Sequence, residues 1–197
     1  MKRVPVVRML ALLISMALPL AAAAQTPAPA KVKPALLVID IQNAYLPYMA
    51  EQDRKLGMEM INYVIALFRA NDMPVIRVYH TDPAQGPKPG TEPFEFPKTV
   101  AIKDSDAMVT KSFPSAFKQT DLDKILQEKG VNTLFLVGLS AVGCVNATYH
   151  GAQDHDYTVF MVKDALLSHD AALTKSIQEI NDTIGYEALK LVLRAAH

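Results

Sequence analysis

Thr133-Leu-Phe-Leu-Val137 runs without interruption into Gly138-Leu-Ser-Ala-Val-Gly143 and then Cys144. A short β-favouring run with no polar alternation describes a strand covered on both faces, as in the middle of a parallel sheet. The glycine-bounded turn ends it. Cys144 is then expected to open a helix that reaches about Asp154.

The flanking sequence repeats this alternation. Upstream, Ala35-Leu-Leu-Val-Ile39 is a second continuous apolar run, ending in Asp40. Residues 51–71 carry Leu56, Met60, Val64, Leu67 and Phe68 at helical spacing. Pro74-Val-Ile-Arg-Val-Tyr79 reads as a strand, and so does Ala107-Met-Val-Thr110, which delivers Lys111 at its end. Between them, Thr81 to Asp106 is polar and holds Gly86, Pro87, Pro89, Gly90, Pro93 and Pro97. Connections of that length in compact domains tend to shape binding sites. Residues 121–129 form a short helix stopped by Gly130. Downstream, Tyr157-Thr-Val-Phe-Met-Val162 is a fifth strand and residues 170–183 a further helix. The tail from Gly185 to His197 suits either state: Leu189, Leu191 and Leu193 alternate like a strand, while Ala188, Leu189, Val192 and Ala196 fit a helix. Strands alternating with amphipathic helices specify an α/β domain built on a parallel sheet.

The ends bound the domain. Lys2, Arg3 and Arg8 precede the apolar stretch Met9 to Leu20, which gives way to Ala21–Ala24 and Gln25-Thr26-Pro27. That order is the layout of a signal peptide, so residues 1–24 are expected to be cleaved after Ala24 and the protein exported, to a periplasm or beyond the cell. The stretch is short for a membrane span of roughly 20 residues, and no cysteine follows it to carry a lipid. No membrane association is expected after cleavage. Residues 25–33 are proline-rich and read as a flexible leader. Residues 34–197, about 160 in all, suit one hydrophobic core.

Twenty basic and twenty acidic residues cancel, with no basic cluster in the domain, which argues against nucleic acid as a partner. Cys144 is the only cysteine, so it cannot form an internal disulfide. A free cysteine is commonly a small buried apolar residue. Here, however, Asp40, Lys111 and Cys144 all fall at or just past strand ends, where the loops of an open parallel sheet converge on a ligand. Singly, Asp40 could cap a turn, Lys111 be a solvated charge and Cys144 be packed. Together, a carboxylate, an ammonium and a thiol on one sheet edge point to chemistry.

Leu36-Leu-Val-Ile-Asp-Ile-Gln42, Val109-Thr-Lys-Ser-Phe-Pro-Ser-Ala-Phe117 and Val137-Gly-Leu-Ser-Ala-Val-Gly-Cys-Val145 resemble, in order and spacing, the isochorismatase-like cysteine hydrolases. The resemblance covers residues 34 to 167. It implies a three-layer α/β sandwich with a mostly parallel six-stranded sheet, and a catalytic triad of Asp40, Lys111 and Cys144. It also implies a cis peptide between Leu139 and Ser140, with the backbone N–H groups of Ser140 and Cys144 as oxyanion hole. A thiol of ordinary pKa, about 8.5, needs activation at neutral pH. Lys111 and the helix opened by Cys144 are expected to favour the thiolate, and Asp40 to carry the proton. The implied reaction is hydrolysis of a small amide-like C–N bond. The alternatives are vinyl-ether hydrolysis, which family members perform without the cysteine, and an exported binding protein on the same fold.

Family members acting on nicotinamide bind a metal through an aspartate and histidines. Here the stretch from Tyr45 to Asp53 has no histidine, so neither metal nor cofactor is expected. His80, at a strand end, either contacts substrate or is simply hydrogen-bonded. Tyr45 and Phe113 could supply an aromatic wall or ordinary packing. Gln42 could orient the triad or satisfy backbone groups. The family commonly has glycine where this chain has Asp156, a residue type that tolerates a left-handed backbone. The resemblance further implies a small-molecule substrate and a homo-oligomer.

Overall fold

The computed structural model describes residues 31–196. The expected signal peptide and residues 25–30 of the leader lie outside them. In chain order the elements are β1 (Pro34–Ile39), α1 (Glu51–Ala70), β2 (Val75–His80), β3 (Ala107–Lys111), α2 (Leu122–Glu128), β4 (Thr133–Leu139), α3 (Asn146–Asp154), β5 (Thr158–Leu167), α4 (Ala171–Ile180), β6 (Thr183–Ile184) and α5 (Tyr186–Ala195).

The six strands form one sheet in the order β3-β2-β1-β4-β5-β6, and every neighbouring pair is parallel. Residues 34 to 39 of β1 are buried without exception, because β1 is hydrogen-bonded on both edges and covered on both faces. Its side chains alternate between two cores. Ala35, Leu37 and Ile39 join Leu126 of α2 and Tyr149 of α3 on one face. Leu36 and Val38 meet Ile61 and Phe68 of α1 and Leu193 of α5 on the other. The result is the three-layer α/β sandwich that the alternation of elements demands.

Three elements differ from the sequence expectation. The helix expected to open at Cys144 starts at Asn146; residues 141–145 form a wide π-type turn in which Gly143 has non-helical φ −115° and ψ −106°. β5 runs on to Leu167. Its pairing with β4 passes from Leu136↔Met161 to Gly138↔Leu166 across a bulge, and Asp164 there takes φ 64°. A bulge of this kind lets a strand resume pairing with its far end re-aimed. The expected helix over 170–183 stops at Ile180, and Thr183–Ile184 form β6 against Met161 and Val162, a strand too short to leave a pattern. The tail is a helix: Leu189 and Leu193, four residues apart, are fully buried while Leu191 is 66% exposed. Asp156 takes φ 62°, the left-handed conformation that aspartate accepts more readily than most residues.

The long connection from 81 to 106 divides its labour. Phe94 and Phe96 are buried and pack on Tyr79, with ring centroids at 4.9 Å and 4.4 Å. Asn62 of α1 binds both Thr99 O and Ala101 N, and Arg69 makes a two-pronged ion pair with Asp106 at 2.9 Å and 2.7 Å. Its second half is therefore fastened to α1. Its first half lies at the carboxyl end of the sheet.

At Gly138, β4 passes close to Ile39 at the end of β1. The glycine holds φ 122°, and a Cβ there would stand 2.1 Å from Ile39 O. Gly138→Ala is therefore expected to lose at least ~3 kcal/mol in urea unfolding, from steric overlap plus backbone strain. Arg69→Ala removes the charged fork on Asp106 and is expected to cost about 1.5–3 kcal/mol. The same variant should be cleaved faster than wild type by limited trypsinolysis at Lys103.

Candidate active site

The strand order places the site. From β1 the chain winds outward to β2 and β3, then returns to lay β4 on the other side of β1. At such a reversal the loops leaving β1 and β4 diverge and open a crevice at the carboxyl ends. Asp40 follows β1, His80 ends β2, Lys111 ends β3, and Cys144 lies just beyond β4.

Asp40 itself adopts φ 53°, an uncommon conformation for a non-glycine residue, and its carbonyl accepts the N–H of Gln42 at 2.7 Å. This tight reversal stops β1 and holds the carboxylate over the sheet end. Lys111 is 1% exposed and donates to Asp40 Oδ2 at 2.8 Å; its ammonium also lies 3.1 Å from His80 Nδ1. An ammonium has no lone pair, so Nδ1 must accept, which leaves the ring proton of a neutral His80 on Nε2. Gln42 is fully buried and joins the ends of β1 and β2: its Nε2 donates to His80 O at 3.0 Å and its Oε1 accepts from His80 N at 2.7 Å. It satisfies backbone groups and thereby fixes the position of His80.

A carboxylate oxygen of Asp40, a ring nitrogen of His80 and Cys144 Sγ lie within 4.8 Å of one another. Among the described residues this is the grouping with the donors a metal would want, but the Lys111 ammonium is bonded to two of its three members. Asp40 Oδ1, the oxygen turned away from Lys111, is buried without a hydrogen-bond partner among the protein groups.

Electrostatics separate the roles. Burial pushes the Asp40 carboxyl above its ordinary range, against the pull of Lys111. Burial, then the charge of Asp40, push the Cys144 thiol up to about 12, outweighing Lys111. The resting group is therefore a thiol beside an ion pair. The expected help from Lys111 and a helix start is outweighed, because the sulfur is desolvated, faces a carboxylate and does not begin a helix. Burial and the adjacent Lys111 lower the pKa of His80, which keeps the ring neutral.

The cleft holds about 410 Å³ and is lined by Asp40, His80 and Cys144 together with Tyr45, Asp82, Leu139 and Ser140. The Leu139–Ser140 peptide is cis. Ser140 O accepts the N–H groups of Gly143 at 2.9 Å and Val145 at 3.2 Å, closing the turn that carries Cys144. Tyr45 faces the cleft near His80, with ring centroids 6.3 Å apart. Phe113 does not share this cleft; it lies under Lys118, whose Nζ sits 4.2 Å from its ring centroid. Asp82, Gln85 and Gly86 reach the cleft from the first half of the long connection. Their place right after β2 was the available signal. A larger groove, about 580 Å³, is lined by residues of α1 and α4, and none of Asp40, His80, Lys111 and Cys144 borders it.

The sequence profile of the Isochorismatase domain matches residues 34–185. The isochorismatase family protein YddQ of Bacillus subtilis is 35% identical over 136 residues, which span 66% of this chain and 76% of YddQ. The secreted isochorismatase effector Isc1 of Verticillium dahliae is 30% identical over 164 residues, 76% of this chain and 84% of Isc1. Among solved structures, N-carbamoylsarcosine amidase from Thermoplasma acidophilum superposes with a TM-score of 0.69 at 26% identity, covering 78% of this chain and 95% of that one. A profile match over most of the chain, a relative of this identity and the shared sheet make this protein a member of the isochorismatase family of hydrolases.

Proposed function

We propose that this protein is an exported, cysteine-dependent amidohydrolase that cleaves the C–N bond of a small amide-like substrate through a thioester on Cys144. The observation that carries the reading is the meeting of three groups at the sheet reversal: Asp40 and Cys144 line one cleft, and the buried Lys111 ammonium is bonded to Asp40. A protein related in structure, N-carbamoylsarcosine amidase, acts on a C–N bond, which supports the amide reading. The name of Isc1 as a secreted effector and the charged, apolar, small-residue order of residues 1–24 support export.

The chemistry follows from the charges. Cys144 attacks the substrate carbonyl carbon as its proton passes to Asp40, so the thiolate never has to exist free. A carboxylate with a raised pKa is a stronger base than an exposed one. Lys111 holds that carboxylate in place and offsets the negative charge that builds up nearby. The carbonyl oxygen becomes an oxyanion, received by the backbone N–H groups of Ser140 and Cys144. The C–N bond then breaks as Asp40 returns the proton to the leaving amine. Water, deprotonated by Asp40, attacks the thioester, and the carboxylic acid leaves as Cys144 regains its proton. Tyr45 and His80 are placed to orient the substrate.

Wild-type mature protein is expected to hydrolyse members of a panel of small amides, ureides and cyclic imides. Cys144→Ala and Cys144→Ser should each lower kcat/KM by at least ~1000-fold, as loss of a nucleophile does. Unchanged turnover in both would remove Cys144 from the reaction.

Asp40→Asn separates base from sulfur. Asp40 raises the thiol pKa and Lys111 lowers it, so removing the carboxylate charge must shift thiolate formation to lower pH. The curve of iodoacetamide labelling against pH is expected to move down by about one pH unit or more, while amide hydrolysis is lost. A curve that stays put or moves up would show that the two groups do not interact as described. The same variant strands a buried ammonium, and an unfolding free energy lower by about 3–5 kcal/mol is expected.

A further inference from the structure

The cleft is unevenly charged. The buried cation beside it, the Lys111 ammonium, does not line the cleft and is committed to Asp40 Oδ2 and His80 Nδ1. Burial and that same ammonium hold His80 neutral. No lysine or arginine is among the residues bounding the cleft. On the acidic side Asp82 stands in the wall, exposed to solvent and without an ion pair among the described residues. Its Oδ1 accepts the N–H groups of Ala84 at 2.8 Å and Gln85 at 3.4 Å, so the turn it starts fixes where its charge sits. With Asp40 and Lys111 cancelling, the walls carry one net negative charge. Tyr45 senses it: burial first, and then Asp40, Cys144 and Asp82, push its hydroxyl up to about 12, so it remains a donor.

A neighbouring recess of about 480 Å³ shares Tyr45, Gln85 and Gly86 with the cleft and holds Lys88. That lysine bounds the recess and not the cleft itself. A short substrate seated against Cys144 therefore meets Asp82 and no free cation.

We propose that the cleft selects small amides whose non-reacting end is uncharged or cationic, turns away those bearing a carboxylate, and that Asp82 sets this preference. The substrate class rests on the amidohydrolase reading above; the charge selection by Asp82 rests on the geometry of the walls alone.

Cys144 is the only cysteine in the chain, which permits a test that does not depend on turnover. Second-order labelling rates are measured with neutral iodoacetamide and anionic iodoacetate on wild type and Asp82→Asn, and each ratio is referred to that of glutathione. Asparagine keeps the acceptor for Ala84 and Gln85 while removing the charge. Wild type should favour iodoacetamide more strongly than glutathione does, and D82N should narrow that preference by about threefold to tenfold at low salt, less at high salt, as for a solvent-exposed charge sharing the cleft with the sulfur. A ratio unchanged within twofold in D82N overturns the role of Asp82. In a second arm, kcat/KM is compared for butanamide, 4-aminobutanamide and succinamate. Wild type should process the first two better than succinamate, with D82N reducing the gap through KM. Equal rates on all three overturn the selection while leaving amide hydrolysis standing. Hydrolysis of none of them, together with a shifted labelling ratio in D82N, overturns the amide substrate class and keeps the charged wall.

Discussion

The arrangement depends on one buried ion pair. Lys111 and Asp40 touch at 2.8 Å with side chains 0% and 2% exposed, and they come from strands that are not neighbours. Withdrawing two charges from water costs several kcal/mol per ion, repaid only by good geometry and additional hydrogen bonds. His80 Nδ1 supplies one such contact to the ammonium, and β2, lying between β1 and β3, carries it there. Gln42 then holds the end of β2 to the end of β1 through both atoms of its amide. Sheet order, strand length and side-chain identity are thus bound together at one edge, and a slip of one residue in any of the three strands would leave a charge buried alone.

The same constraint explains how much could be read from the residues. Runs such as 35–39 and 133–137 have no solvent face, so their apolar continuity states their position in the sheet directly. The residues that end them are chemically unlike the strands, and Asp40, Lys111 and Cys144 therefore stand out. Less legible were features set by tertiary contact. β6 has two residues, paired to β5 by an alignment that no local pattern encodes. The extension of β5 needs a bulge, and the turn at 141–145 replaces a helical start because Gly143 leaves helical geometry. Phe113 looked like Tyr45 as an aromatic near the triad motifs, but only packing decides that one borders the cleft and the other lies beneath Lys118. The position of Asp82 beside the cleft was hidden for the opposite reason, since a lone acid in a polar loop has no signature until the loop is folded.

β4 and β1 meet so closely at Gly138 that no side chain fits between them. This contact lies at the base of the crevice, where Ile39 hands over to Asp40 and Leu139 to Ser140. Below it the strands are bonded in register; beyond it they part. The glycine therefore determines how near the wall bearing Ser140 can stand to the carboxylate.

The elevated thiol pKa has a consequence for endurance. Disulfide exchange and oxidation by peroxide both proceed from the sulfur anion. A sulfur kept protonated by its surroundings offers little of that anion to passing oxidants, and with no second cysteine it cannot be captured within its own chain. The desolvation that keeps Cys144 a thiol thus preserves it chemically, and in the proposed reaction only a bound carbonyl and the neighbouring carboxylate acting together would call on it.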